Sequence, residues 1–237
     1  MIDTTFDTRS DAGRGDPDTR SKTLREYHRL LWSKALPNGK VLELDTSSRS
    51  RYLHHESELG RFTLSSDTVV PTFRRYRRAQ AVIEQIPESE LDHFQYVNHT
   101  VGGAMVFPGN RIPGVGRTIN GARGMNPKIS DRFDLTLEAI RRHYLGGDSP
   151  IEATLAAYGD FFRLFESFDG YVDFFLLGDL VDSAGEVKLF TPWDGFGSPA
   201  VPATVDAYRS YRDHAVAFLE ARNRRIDAWA RANLPRE

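Results

Sequence analysis

The sequence predicts an α+β fold in a single domain, with a small, mostly antiparallel sheet in the N-terminal half, a helical C-terminal half and a long C-terminal helix. Three observations lead there. Strand-like alternation clusters in the first half, in KVLELD (40–45), GRFTLSS (60–66) and the stretch from Phe94 to Phe107 around Gly102-Gly103. From Asp131 onward, apolar residues recur at helical spacing instead. Strands and helices do not alternate, and no linker separates two cores, which argues against a doubly wound sheet and against a second domain. The expected division is an irregular polar N-terminal arm over 1–21 and one α+β domain over 22–237.

The arm is rich in Asp, Arg, Gly and Ser and reads as solvated chain; its acids lack the spacing of a calcium loop. Thr23-Leu-Arg-Glu26 has the pattern of a capping box, followed by an apolar stripe of Leu24, Tyr27 and Leu31 and a stop at Pro37-Asn-Gly39. His28 and Lys34 read as rim or surface residues. The adjacent His54 and His55, on a strand, point to opposite faces and make a poor joint metal site. Pro71 opens a second expected helix, with Phe73, Tyr76, Ala79, Ile83 and Ile86 on one face and Pro87 at its end. Its first turns carry Arg74, Arg75, Arg77 and Arg78, a positive patch set where the helix dipole disfavours it. ESELDHF reads as a short helical turn.

A helix over about 131–144 buries Phe133, Leu137, Ile140 and Tyr144, ends on Arg141, Arg142 and His143, and stops at Gly146-Gly147. Another helix follows over about 150–168. GYVDFFLLGDLV is too apolar to be exposed, and its period leaves strand and helix open. EVKLF reads as a strand, and TPWDGFGSPAVPAT as a loop whose Trp193 and Phe196 either line a pocket mouth or pack on the last helix. That helix, Val205 to about Asn233, buries Tyr208, Tyr211, Ala215, Phe218, Ile226 and Trp229, with Arg222 inside the same stripe.

The 237 residues are 40% hydrophobic, enough for a packed core rather than a disordered chain. There is no cysteine, which removes disulfides, thiolate chemistry and thiolate zinc sites. A net charge of −2 demands neither nucleic acid nor an anionic membrane, so a basic site has to be a local patch. The start of the chain has no apolar signal region and no run approaches membrane-spanning length, so a cytoplasmic location without membrane association is expected.

One stretch has chemical character. The 38 residues from His93 to Ser130 contain no Asp or Glu, but seven glycines and the cations Arg111, Arg117, Arg123 and Lys128. A basic, glycine-rich loop leading into a helix can hold an anion through backbone amides and bidentate guanidiniums. GVGRTING lacks the spacing of a phosphate-binding Walker loop and of a dinucleotide fingerprint. The candidate ligand-binding residues are Arg111, Arg117, Asn120, Arg123, Lys128 and Arg142. Candidate catalytic residues are Asp131, Asp134, Glu138 and His143. Two carboxylates on one helix face could hold a divalent cation beside a phosphate, although the 134, 138, 142 spacing is equally that of an intrahelical ion-pair series. No dedicated metal motif, nucleophile elbow or zinc-protease helix is present.

DPDTRSKTLREYHRLLWSKALPNG, YLHHESELGRFTLSSD, RTINGARGMNPKISDRFDLTLEAIRRHY and YVDFFLLGDLV resemble segments of an uncharacterised bacterial family of similar length, over nearly the whole chain. That family is a domain of unknown function, so the resemblance implies one domain and carries no activity, cofactor or catalytic residue. The residues themselves point to binding or processing of a phosphate-containing ligand, a nucleotide or nucleic acid, through the basic loop. A non-catalytic protein-interaction module is the alternative.

Overall fold

The structure, a computed structural model, describes residues 2–42, 53–57 and 60–234. Alternation along GRFTLSSDT places Phe62 and Leu64 inward, and this strand, β2 (Gly60–Thr68), forms the centre of a three-stranded antiparallel sheet. Strand β1 (His54–Ser57) pairs with one edge, His55 opposite Phe62, and β3 (Ala104–Pro108) with the other, Asp67 opposite Met105. Every residue of β3 is buried. The expected strand at 40–45 lies mostly outside the described residues, although Val41 bridges to Ala35. His54 is half-buried and His55 buried against Phe62, as opposite faces require.

The helices are α1 (Pro17–Arg20), α2 (Lys22–Trp32), α3 (Gln80–Ile83), α4 (Glu88–Val97), α5 (Ile119–Met125), α6 (Phe133–Tyr144), α7 (Glu152–Ala157), α8 (Gly159–Arg163), α9 (Phe168–Phe174) and α10 (Val205–Asn233). The α+β class, the N-terminal sheet and the long last helix therefore match expectation. In α10, the Thr204 side chain caps Ala207, and Leu219, Asn223 and Ala230 join the buried stripe, with Trp229 half-buried. No described helix is long and apolar enough to cross a membrane.

Several elements differ from the sequence reading, each for a local reason. The first stretch is only partly solvated: Ile2 and Ala12 are buried, Thr8 donates two hydrogen bonds to the His99 carbonyl, and α1 starts on an Asp16 cap with Pro17 in its first turn. Helix α2 is capped by Ser21, whose Oγ accepts from Leu24 N, because Asp11 engages Thr23 instead. His28 is fully buried, and burial, with the nearby Arg25 charge, drives its pKa down to about 3, so it is neutral. Residues 71–76 are not helical. Tyr211 Oη and Tyr208 Oη donate to the carbonyls of Pro71 and Thr72, acceptors a helix would use internally, and Phe73 sits at φ +59° against Tyr76 and Tyr211. A single 3₁₀ turn (Arg77–Ala79) and α3 follow.

The strand expected from Phe94 begins only at Ala104, since Leu91, Phe94 and Val97 are the buried face of α4, which has Glu88 and Glu90 in its first turn. Left-handed Ser130 and Asp131 delay α6 to Phe133. The helix expected over 150–168 is broken at Tyr158-Gly159 into α7 and α8. The ambiguous apolar run contributes helix α9, capped by Ser167, and EVKLF makes only the isolated bridge Val181–Val187.

These elements meet at Arg222. Its guanidinium, fully buried, donates to the carbonyls of Gly102 (2.7 Å), Ala104 (2.8 Å) and Phe175 (3.0 Å) and to Tyr27 Oη (2.6 Å), and lies over the rings of Tyr27 and Phe133. Asn223 adds Nδ2 to Thr100 Oγ1 and accepts from Gly102 N, both at 2.8 Å. A Cβ on Gly102 would stand 2.7 Å from both Asn223 Oδ1 and the Leu219 carbonyl, so only glycine allows this approach. Tyr27→Phe removes one acceptor from a buried cation and is expected to cost about 2 kcal/mol in denaturant unfolding; a loss below about 0.5 kcal/mol would show that this bond does not hold the junction.

Candidate functional site

The basic loop is dispersed by the fold. Arg111 and Arg117 are exposed and make no ion pair with a described residue. Arg123 turns inward along α5 and is completely buried: Nη1 reaches Asp131 (2.5 Å), Nη2 reaches Asp67 (2.9 Å), and Nε donates to Asn120 Oδ1 (3.2 Å). Asn120 also donates to Ser65 Oγ at 3.0 Å. Lys128 donates to the Gly197 carbonyl. Arg142 pairs with Glu138 (2.9 Å) and stacks over Trp193 (4.7 Å) and Phe196 (5.1 Å), so those aromatics pack on α6, and Trp193 also lines a small cavity of about 220 Å³.

The acids of the following helix have partners of their own. Asp134 is buried against Arg132 (2.5 Å) and accepts from Phe190 N (2.8 Å). Glu138 takes Arg141 (2.8 Å) as well as Arg142, the ion-pair series that its spacing allows. His143 Nδ1 lies 2.8 Å from Glu152 Oε1, a carboxylate partner the sequence does not reveal. Among the described residues no group of three metal-ligating side chains occurs. Of the ten residues singled out from the sequence, Asp131, Arg123 and Asn120 are brought together, and Asp131 alone lines a sizeable cavity.

That cavity is a cleft of about 810 Å³ where the N-terminal stretch, the end of β2, the 70–76 segment and the end of α4 converge with Asp131. Its buried lining includes Asp18, Thr72, Phe73 and Asn98, and its exposed lining includes Arg9, Asp16, Asp67 and Arg75. Asp18 is held by Ser66, whose backbone N–H (2.8 Å) and hydroxyl both donate to the carboxylate. Arg9 pairs with Asp7 (2.5 Å) and Arg74 with Glu88 and Asp92. Arg75 makes no ion pair with a described residue, so its guanidinium is available.

Burial shapes the acid–base character of this lining. It raises Asp18 to about 6, against the lowering effect of the Ser66 donors and helped by the Asp16 and Asp67 charges. It raises Asp131 as well, opposed by Arg123 and aided by Asp67. Tyr76 is pushed up to about 12 by burial and by Asp131, so it remains a phenol donor, whereas burial and the Arg9 charge lower His99. Phe73 and Asp131, both in the cleft lining, take left-handed backbone, φ +59° each. Strain of this kind persists only where surrounding contacts fix it, and it gathers at functional sites.

The sequence pointed past Asp18, Asp67 and Tyr76. A signal did exist for Asp18: Asp16-Pro-Asp is a cap followed by an N-terminal-turn proline, the mark of a structured helix start rather than of loose chain. Asp67 and Tyr76 carry no such mark, because only the β2–β3 pairing and the irregular 71–76 segment bring them to one place.

Fold and cleft together define an α+β protein with a large, charge-lined cleft at the end of a small antiparallel sheet. The chain belongs to a family of unknown function, DUF6994, whose model matches residues 2–226 of the 237. No curated protein and no solved structure matches it.

Because burial raises Asp18 from 3.8 to about 6, its contribution to stability is fully present below pH 3.8 and is lost as the pH rises through 6. Its carboxyl carbon, followed by NMR, is expected to titrate with a midpoint near 6, and Ser66→Ala, which removes a donor to the charged form, should move that midpoint upward. A midpoint in the ordinary carboxylate range would contradict this account of the cleft.

Proposed function

We propose that the protein binds a small, hydroxyl-rich, phosphate-bearing molecule, a nucleotide or a sugar phosphate, in the cleft. The observation that carries this reading is the pairing, in one cavity of about 810 Å³, of Asp18, a buried carboxyl held by Ser66 and raised by burial to about 6, with Arg75, a guanidinium without an ion-pair partner among the described residues. A guanidinium gives bidentate bonds to a phosphate. Carboxylates such as Asp18 and Asp67 accept from ligand hydroxyls, and the Tyr76 phenol donates. A volume of this size suits a ligand of nucleotide dimensions. Asp18, poised near the working pH, is the group suited to move a proton if the bound ligand is processed.

This keeps the phosphate-containing ligand expected from the sequence and shifts the emphasis from the exposed loop to the cleft. The loop arginines then serve as the comparison. A panel of nucleotides and sugar phosphates should include a ligand that raises the melting temperature of the wild type. Arg75→Ala should weaken that ligand by about tenfold or more, the worth of one charge-assisted contact, while Arg117→Ala should leave its affinity unchanged. If Arg117→Ala abolishes binding and Arg75→Ala does not, the ligand sits on the loop. If no phosphate compound shifts the melting temperature and heparin at low salt does not retain the protein, the reading fails in both forms.

A further inference from the structure

The cleft also holds a histidine whose ring is set in one orientation. His99 follows α4 and is half-buried in the cleft lining, its backbone carbonyl accepting from Thr8 N (3.0 Å) and Thr8 Oγ1 (2.9 Å). Its Nδ1 lies 3.0 Å from the Gln95 carbonyl oxygen and in close contact with Asn98 Oδ1. A carbonyl oxygen only accepts, and the Asn98 amide is fixed because its Nδ2 donates to the Val70 carbonyl at 2.8 Å. Nδ1 therefore carries the ring proton. Gln95 Nε2, 3.1 Å from the same nitrogen, belongs to an amide held by the Thr72 hydroxyl, a group that accepts as readily as it donates, so this contact does not set the ring. Burial and the Arg9 charge lower the ring's pKa, which keeps it neutral at neutral pH, and Nε2 makes no hydrogen bond to a described residue.

The surrounding charges select among phosphates. Of the arginines in the lining, Arg9 is paired with Asp7 and Arg74 with Glu88 and Asp92, which leaves Arg75 among the carboxylates of Asp16, Asp18, Asp67 and Asp131. One guanidinium matches the single charge of a phosphodiester, whereas the second charge of a phosphomonoester would face these carboxylates unpaired. Building on the reading of the cleft as a phosphate site, we propose that it is the active site of a phosphodiester hydrolase in which His99 is the general base. Nε2 takes a proton from a water molecule, the water oxygen bonds to phosphorus, and the phosphorus–oxygen bond to one alcohol breaks. Its electron pair leaves with that oxygen, which takes a proton from solvent, and His99 returns its own proton to solvent. Arg75 holds the phosphoryl oxygens during the step.

The test offers the full-length protein bis(p-nitrophenyl) phosphate, a diester, and p-nitrophenyl phosphate, a monoester, and follows p-nitrophenolate release at neutral pH, with binding read separately as a shift in melting temperature. The wild type should cleave the diester with a higher kcat/KM than the monoester. His99→Gln should lower kcat for the diester about a hundredfold or more, the contribution of a general base, and leave KM unchanged. A second measurement uses the wild type alone: diethyl pyrocarbonate should modify His99, read by peptide mass spectrometry, and turnover should fall in step. A wild type that binds the diester and releases no phenolate overturns the hydrolase and leaves the binding reading standing; a protein that no phosphate compound stabilises removes both. Equal or faster cleavage of the monoester overturns the diester assignment. Full turnover in His99→Gln, or in wild type modified at His99, overturns the base, and so does a His99 that resists modification, since its Nε2 is then closed to the cleft.

Discussion

A guanidinium stripped of water and denied a carboxylate is the constraint on which the structure turns. Arg222 is fully buried and makes no ion pair with a described residue; three carbonyls and one phenol replace its solvation. An arginine remains charged at neutral pH even where burial lowers its pKa, so those acceptors have to stay in place. Each belongs to a different part of the chain: α2, the turn into β3, β3 itself and the residue after α9. The cation thus sets where α10 lies against the sheet, and the glycine at 102 lets the backbones come close enough for it to do so. Burying a cation is costly, and four acceptors on its two terminal nitrogens offset that cost, while the buried Nε has no hydrogen-bond partner.

The cleft inherits its geometry from that junction. Arg222 and Asn223 fix the start of β3, the β2–β3 register fixes Ser66 and Asp67, and Ser66 fixes Asp18. On the other side, Tyr208 and Tyr211 of α10 take the carbonyls of 71 and 72 and leave Phe73 in left-handed backbone at the cleft wall. Beneath it, Arg123 is buried between Asp67 and Asp131 and holds two like charges side by side. Arg123, one of the arginines that the sequence offered as an anion anchor, is therefore a counter-ion inside the protein, and the exposed cleft cation without an ion-pair partner among the described residues is Arg75.

The sequence made some of this legible and concealed the rest for physical reasons. Helix α10 was readable almost to the residue, because 29 residues of one amphipathic period are decided locally, and Arg222 stood out as a charge within its apolar stripe. Short elements were not. Phe94–Val97 satisfies a strand period and a helix period at once, and the three acids of the proline-free span before Asn98 did not by themselves decide between them. The 71–86 segment has the apolar spacing of a helix, yet two tyrosines more than 130 residues away take its carbonyls. The site was hardest to see. An acid-free stretch is visible in one dimension, but whether its cations face solvent or carboxylates depends on residues outside it, for Arg123 on Asp67 of β2 and on Asp131. Asp18 was hidden by the opposite error, since a polar composition looked like solvated chain although its own cap and proline marked a structured turn.

The claim that the cleft beside Asp18 is the binding site is tested most directly by backbone amide NMR during titration with the phosphate-bearing molecule that most stabilises the protein. The account predicts that the shift changes concentrate at Ser66, Asp67, Arg75, Tyr76 and His99, all of which line the cleft. Changes concentrated between Gly109 and Arg117, with the cleft amides unmoved, would contradict it.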